Sequence, residues 1–249
     1  MIEVIGLEKS FNGQKVLNGV NLAIHDKEVM AIIGESGGGK SVLLKHLMGL
    51  LKPDKGRILV DGEDITRVGR KELDRIRDRF GIVFQGSALF DSMTVLENVA
   101  FPLLEKTKLR REEIEEKALR ALGDVGLKGI ENKYPSEISG GMKRRVALAR
   151  ALIVEPTTIF FDEPTTGLDP IILNSIHRLI IDTHVKYEFT GIIISHEIPE
   201  IFDVADKVAM LYKGSIVAFG TPAEIRRDPN PVVRQFTAGC RDEIGKFLP

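Results

Sequence analysis

Cysteine occurs once in these 249 residues, as Cys240. A single thiol excludes an internal disulfide framework and fits a reducing compartment. Long apolar runs are also missing. The longest candidates, such as Thr157–Phe161 and Gly191–Ile194, are strand-length and fall far short of the roughly eighteen residues a membrane span needs. The start, Met1-Ile2-Glu3-Val4, lacks the basic and apolar regions of a signal peptide. Charge of one sign is not in excess either. The formal net charge is −1, so no global basic field points to nucleic acid. No repeat or low-complexity region is found. These absences predict a cytoplasmic protein that serves a membrane, if it serves one, only through a partner. What is present is ordinary for a globular chain: 43% hydrophobic and 29% charged residues, long enough for one large domain or a core with a subdomain.

The chemistry starts at Gly34-Glu35-Ser36-Gly37-Gly38-Gly39-Lys40-Ser41. An apolar run, Val29–Ile33, precedes it and reads as a buried strand. Val42–Met48 follows and reads as a helix. Strand, glycine loop and helix form the context of a phosphate-binding loop. Glycines let successive backbone N–H groups curl around phosphate oxygens, and the helix start adds partial positive charge. Lys40 is then placed to reach the β- and γ-phosphates, and the Ser41 hydroxyl to bind Mg²⁺.

Other motifs are read as groups brought to that triphosphate. Phe11 has two readings, a core aromatic or a ring that stacks on adenine; the first is the commoner fate of a lone Phe. The charged stretch 66–79 reads as a solvated helix face rather than a nucleic-acid patch, because its acids cancel its arginines. Gly81–Phe84 is a strand ending at Gln85, which suits a Mg²⁺ ligand or a water-orienting amide. Thr94–Glu97 has capping-box form. From Arg111 to Val125 the spacing predicts a helix with Ile114, Ala118, Leu122 and Val125 on one face, and Glu113/Lys117 and Glu116/Arg120 paired on the other. Ser139 is a good N-cap, and the two glycines after it, Gly140 and Gly141, are read as an anion-binding helix start.

Thr157–Glu163 is an apolar strand ending in two acids. Asp162 is suited to hold Mg²⁺ through water, and Glu163 to act as base for the attacking water. Asp169 is an N-cap with Pro170 in the first turn of a helix to about Tyr187. Gly191–Ser195 repeats the strand design and ends at His196, suited to bond the γ-phosphate or the water. Two strands, Lys207–Tyr212 and Ser215–Phe219, and a capping box at Thr221 close the reading.

In this order the motifs resemble the ATPase subunit of ATP-binding-cassette (ABC) transporters, over residues 2 to about 227. Gly34–Ser41 matches Walker A and Ile159–Glu163 matches Walker B. Gln85 falls at the Q-loop, Ser139-Gly140-Gly141 at the signature, Leu168-Asp169 at the D-loop and His196 at the switch histidine. The signature departs from the usual pattern, with Ile138 in place of Leu and Met142 in place of Gln, and Phe11 stands where Tyr is common. The resemblance implies an α/β fold. It has a P-loop NTPase core with a mostly parallel sheet, an antiparallel β subdomain and an inserted helical subdomain at about 87–150. A C-terminal extension occupies 228–249.

It also implies an ATPase with ATP and Mg²⁺ as cofactors. ATP would lie against Phe11, Gly34, Glu35, Ser36, Gly37, Gly38, Gly39, Lys40 and Ser41 of one copy, and against Ser139, Gly140 and Gly141 of a second. The two copies form a head-to-tail dimer sandwiching two ATP, in which Asp169 communicates between the sites. Glu163, His196 and Lys40 are the implied catalytic residues, and Ser41, Gln85 and Asp162 the metal ligands. An integral membrane permease is implied to dock in a groove near Gly86–Met93, which places the chain on the cytoplasmic face of the inner membrane.

Phe84–Val95, Asn98–Leu103, Arg144-Arg145 and Val233–Phe236 further resemble ATPases of the Mla/MCE lipid-transport type. That resemblance implies phospholipid transport across a bacterial envelope with an MCE-type lipid-binding subunit, and no nucleic acid. Two other readings stay open: the ATPase of a polar-solute importer of the amino-acid type, and a non-transport cassette ATPase acting on nucleic acid or ribosomes. In the tail, Val232, Val233, Phe236, Phe247 and Leu248 are expected to dock on the partner subunit.

Overall fold

The computed structural model describes residues 1–238. In chain order the strands and helices are β1 (Ile2–Phe11), β2 (Gln14–Ile24), β3 (Val29–Ile33), α1 (Lys40–Leu47), β4 (Lys55–Val60), β5 (Glu63–Asp64), α2 (Arg70–Arg77), β6 (Phe80–Val83), α3 (Val95–Lys106), α4 (Arg111–Asp124), α5 (Gly140–Leu152), β7 (Thr158–Asp162), α6 (Pro170–Tyr187), β8 (Thr190–Ser195), β9 (Lys207–Tyr212), β10 (Ser215–Gly220), α7 (Pro222–Arg226) and α8 (Pro231–Thr237). Two compact units divide this chain. One joins residues 1–77 to the described residues from Ile192 onward, and the other runs from Asp78 to Gly191.

In the first unit β1 and β2 form a hairpin. Phe11 faces Gln14, and Asn12 and Gly13 turn the chain with φ of 49° and 81°. Positive φ at both turn residues matches the strand twist, which is why Asn-Gly serves here. β1 runs on well past Ile5 because its second half keeps pairing with β2 through register shifts after Val4, Leu7 and Lys9. On its other side β1 pairs antiparallel with β4, which turns at Asp61-Gly62 into β5, giving the order β2-β1-β4-β5. From Val20 to Ile24 β2 buries alternate residues, as a strand with one wet face must.

The second group of strands in this unit follows the order β10-β9-β3-β8. β3 and β9 are parallel, with Met30 opposite Lys207 and Ile33 opposite Met210. All five residues of β3 are buried. Each of the four larger ones, Val29, Met30, Ile32 and Ile33, contributes on the order of 1.5–3 kcal/mol when fully removed from water. The carboxylate of Asp206 accepts from Val29 N at 2.8 Å and pins the start of β3 beside β9. α2 is the solvated helix its charges predict, with Ile76 its buried residue. Arg77 donates to the carbonyls of Met48 (3.2 Å) and Gly49 (2.6 Å), satisfying the C-terminal end of α1.

The tail expectation needs correction. Val233 is fully buried within its own chain, so it is a core residue of α8 and not a docking residue. Phe247 and Leu248 lie outside the described residues.

In the second unit β6 and β7 are parallel, with Phe80 opposite Thr158 and Val83 opposite Phe161. Phe80 and Phe160 meet edge to face at 5.1 Å. α3 opens with the capping box: Thr94 Oγ1 accepts from Glu97 N, and the Glu97 carboxylate accepts from Thr94 N at 2.7 Å. α4 buries Ile114, Ala118, Ala121 and Leu122, and Gly126 follows its end with φ of 71°. Glu116 and Arg120 pair at 3.3 Å as expected. Lys117 instead reaches Glu155 at 3.0 Å, and Glu113 binds Arg110. The i,i+4 rule loses there to a longer-range acid and to a helix cap. Asp124, at the end of α4, accepts from Lys186 at 2.5 Å and from the Tyr187 hydroxyl, tying α4 to the end of α6. Burial alone would raise the Asp124 pKa, but these two bonds hold it below the ordinary carboxylate value.

Among the described residues no helix is long and apolar enough to cross a membrane.

Candidate nucleotide and partner sites

In the first unit the loop from Gly34 to Ser41 leaves the end of β3 and enters α1, as the sequence predicts. Gly34 has φ of 148°, and a Cβ there would lie 2.1 Å from the carbonyl oxygen of Leu211. The first glycine is therefore demanded by the close approach of β9. Gly39 caps α1 with φ of 97°. Lys40 is 4% exposed, and its ammonium donates to the carbonyls of Gly34 and Glu35, each at 2.8 Å. A buried cation at a helix start, ringed by backbone, makes a strong local anion-binding field. Ser36, Gly37 and Ser41 are exposed, Glu35 and Gly38 half-buried. Phe11 is 43% exposed at the end of β1, with the Lys9 ammonium 5.5 Å from its ring centre. It is no core residue. His196 follows β8, the strand bonded next to β3, and is half-buried. Just before it, the Ser195 hydroxyl accepts from Glu197 N at 3.0 Å and shapes that turn.

His46 sits in α1 behind the loop, 1% exposed, with Nδ1 2.7 Å from the Val42 carbonyl oxygen. Burial, opposed by that carbonyl and aided by the Lys9 charge, lowers its pKa from 6.5.

The second unit carries the remaining candidates. Because β6 and β7 are parallel and in register, Gln85 and the pair Asp162 and Glu163 leave the same end of the two strands. Gln85 is exposed; both acids are half-buried. Glu163 takes a left-handed φ of 49°, uncommon for a residue with a side chain. Its carboxylate accepts from the Thr166 hydroxyl at 3.2 Å. Asp169, exposed, caps α6 by accepting from Ile171 N at 3.1 Å and Ile172 N at 3.0 Å.

Ser139 caps α5, its hydroxyl accepting from Met142 N at 3.3 Å. The two glycines after it, read as an anion-binding helix start, sit in different surroundings. A Cβ on Gly141 would lie 2.9 Å from Ile172 Cγ2, so packing against α6 suffices to require glycine. A Cβ on Gly140 would meet only Leu168 at 3.9 Å, an ordinary contact. Packing does not explain the glycine at 140.

Of the metal ligands that the resemblance implies, Ser41 in the first unit offers a hydroxyl, and Gln85 and Asp162 in the second offer an amide oxygen and one carboxylate. Hard oxygen donors with a single acid suit Mg²⁺, which keeps waters and leans on substrate phosphates rather than on a protein cage. Among the described residues no group of three or more His, Cys, Asp or Glu side chains could hold a metal by itself.

A groove of about 500 Å³ opens in the second unit, lined by Phe84, Ala88, Phe90, Phe101, Pro102 and Arg150 among others. Two of these come from the stretch Gly86–Met93, where the sequence places a groove. The rings of Phe90 and Phe101 lie 4.8 Å apart. The loop beside it is shaped by Asn98, a buried amide in α3. Its Oδ1 accepts from Phe90 N at 2.8 Å, and its Nδ2 lies within 3.1 Å of the carbonyls of Phe90, Met93 and Thr94. Arg144 and Arg150 of α5 bind the same segment, at Ser87 and Ala88. Sequence reasoning gave none of these three residues a role. For Asn98 the available signal was a polar side chain on the buried, otherwise apolar side of α3.

Residues 17–166 match the sequence model of the family described as "ABC transporter". The chain is 45% identical over 240 residues to the probable ribonucleotide transport ATP-binding protein mkl of Mycobacterium tuberculosis H37Rv, covering 96% of this chain and 67% of that one. It is 40% identical over 227 residues to the intermembrane phospholipid transport system ATP-binding protein MlaF of Escherichia coli K12, covering 91% and 84%. Its fold matches the dimeric, post-hydrolysis structure of the ATP-binding cassette MJ0796 bound to ADP and Pi, with a TM-score of 0.81, 30% identity, and 89% and 99% of the two chains covered.

Proposed function

This chain belongs to the ABC transporter family, and from that premise we propose that it is the ATP-hydrolysing subunit of a transporter that moves phospholipid across a bacterial envelope. The observation that carries the ATPase reading is the buried Lys40 at the start of α1, in a loop whose first glycine is fixed by β9. Lys40 and the loop amides bind the β- and γ-phosphates, and Phe11 offers its exposed ring to adenine. When bound, Mg²⁺ held by Ser41, Gln85 and Asp162 neutralises phosphate charge. Glu163 accepts a proton from the attacking water, and His196 orients that water against the γ-phosphate. Hydrolysis then leaves ADP and phosphate. Ser139 and Gly140 of a second copy receive the γ-phosphate, so ATP closes a head-to-tail dimer and hydrolysis opens it. Asp169 links the two sites. Residues of about 87–150 act as a helical subdomain within an ATPase domain of 2–227.

The groove beside Ala88 and Phe90 takes a helix of an integral membrane permease, which sets the chain on the cytoplasmic face of the inner membrane. The lipid reading leans on MlaF, whose name states phospholipid transport and most of whose length is matched. The name of mkl states ribonucleotide transport, and the chain covers less of it. An MCE-type lipid-binding subunit completes the proposed assembly.

Glu163→Gln tests the chemistry. Removing a general base costs about 10²–10⁴-fold in rate, so ATP turnover should fall at least a hundredfold with nucleotide binding retained. Turnover at the wild-type rate would remove Glu163 from the mechanism.

A further inference from the structure

The wall of the groove and the carboxylate of Glu163 are joined by one line of hydrogen bonds within the second unit. At the groove, Ser87 and Ala88 both hold left-handed φ, 62° and 46°. Side-chain-bearing residues are strained there and persist only where their surroundings fix them. Arg150 does so: its guanidinium donates to the carbonyls of Ala88 and Ser87, each at 2.7 Å. Ala88 also lines the groove. The Ser87 side chain is turned inward, and the residue is 1% exposed. Its hydroxyl accepts from Arg144 Nη1 at 2.9 Å. The other arm of the same guanidinium, Nη2, donates to the carbonyl of Thr166 at 3.4 Å. The Thr166 hydroxyl in turn donates to Glu163 at 3.2 Å. The Nε–H of Arg144 is buried without a hydrogen-bond partner. The guanidinium is thus held at two of its edges and has donor capacity left for another arrangement.

We propose that Arg144 is a positioning residue that links the groove wall at Ser87-Ala88 to the Glu163 carboxylate through Thr166. A helix seated in the groove presses on Ala88, whose carbonyl is anchored on α5. The fork of Arg144 then carries the displacement of Ser87 to the Thr166 turn, which fixes the direction of the base. Lysine cannot replace this fork, since an ammonium lacks the planar pair of arms that spans two acceptors. The proposal rests on the reading of Glu163 as base and of the groove as a partner's seat.

The test is steady-state ATP hydrolysis by the full-length chain in its membrane complex, for Arg144→Met, Thr166→Val and the double variant. Misplacing a reacting group by about an ångström costs up to roughly 10²-fold. Each single variant should lower kcat about tenfold and leave the KM for ATP within about twofold. The double variant should be no slower than the slower single one, because both act on one carboxylate. Losses that multiply, an unchanged kcat, or a lower kcat with a KM for ATP raised in proportion would each overturn the proposal. Thr166→Val carries the kcat-against-KM readout by itself if Arg144→Met does not fold. Glu163→Gln separates the levels. A rate-dead Glu163→Gln beside fully active Arg144 and Thr166 variants rejects this link alone, whereas a fully active Glu163→Gln removes the base on which it rests.

Discussion

Replacing Gly34 by alanine tests whether this loop is positioned by the strand behind it. The added Cβ would lie 2.1 Å from the Leu211 carbonyl oxygen, at a backbone φ of 148°. Ordinary carbon-to-oxygen contacts are no shorter than about 3.3 Å, so β9 or the end of β3 must retreat by roughly an ångström. Both strands are buried and mutually paired, so the overpacking costs about 1–3 kcal/mol. A region of φ and ψ that suits glycine adds about 1–3 kcal/mol of strain. The sum is about 2–6 kcal/mol, or about 4–24 °C in Tm for a chain of this size. Gly37 is the control, because it has φ of 76° and nothing within 4 Å of a Cβ. Gly37→Ala should cost only the left-handed strain, about 1–2 kcal/mol. Thermal unfolding of both variants, followed by circular dichroism without nucleotide, reads the difference directly. If Gly34→Ala melts with the wild type, or Gly37→Ala is the worse of the two, the packing argument is wrong.

Gly141→Ala sets a Cβ 2.9 Å from Ile172 Cγ2. The overpacking of about 1–3 kcal/mol outweighs the gain of up to ~1 kcal/mol that alanine brings to a helix. The melting point should fall, and adding Ile172→Ala should recover part of the loss; no recovery would point to another cause. His46, whose pKa burial lowers, supplies an acid sensitivity. Its folded pKa lies below the unfolded value of about 6.5, so the unfolded chain binds the proton first. Its contribution is complete above that pH and is lost as pH falls through the folded pKa. Denaturant titrations should therefore show stability declining below about pH 6.5, with a shallower decline in His46→Gln. Equal slopes would clear His46 of the effect.

Much of this architecture is written locally. Val29–Ile33 reads as a buried strand because five apolar residues end at glycine, and all five are buried. Thr94, Asp169 and Thr221 announce helix starts because a cap is a contact within three residues. What stayed hidden depends on partners far along the chain. The reach of Lys117 to Glu155 lies beyond any helix-spacing rule. The need for glycine at 34 comes from Leu211, and at 141 from Ile172. Val233 in short α8 shows no periodicity from which its burial could be read. Arg144 and Arg150 look like an ordinary basic run until α5 is folded against the turn at Ser87.

The central claim is a lipid-transport ATPase working through a membrane partner. Its most direct test is a pull-down of this chain from its native membranes, identifying the proteins and lipids that accompany it. The account expects an integral membrane permease, an envelope lipid-binding subunit and bound phospholipid. A permease accompanied by a soluble solute-binding protein, without lipid, would leave the ATPase chemistry standing and contradict lipid transport.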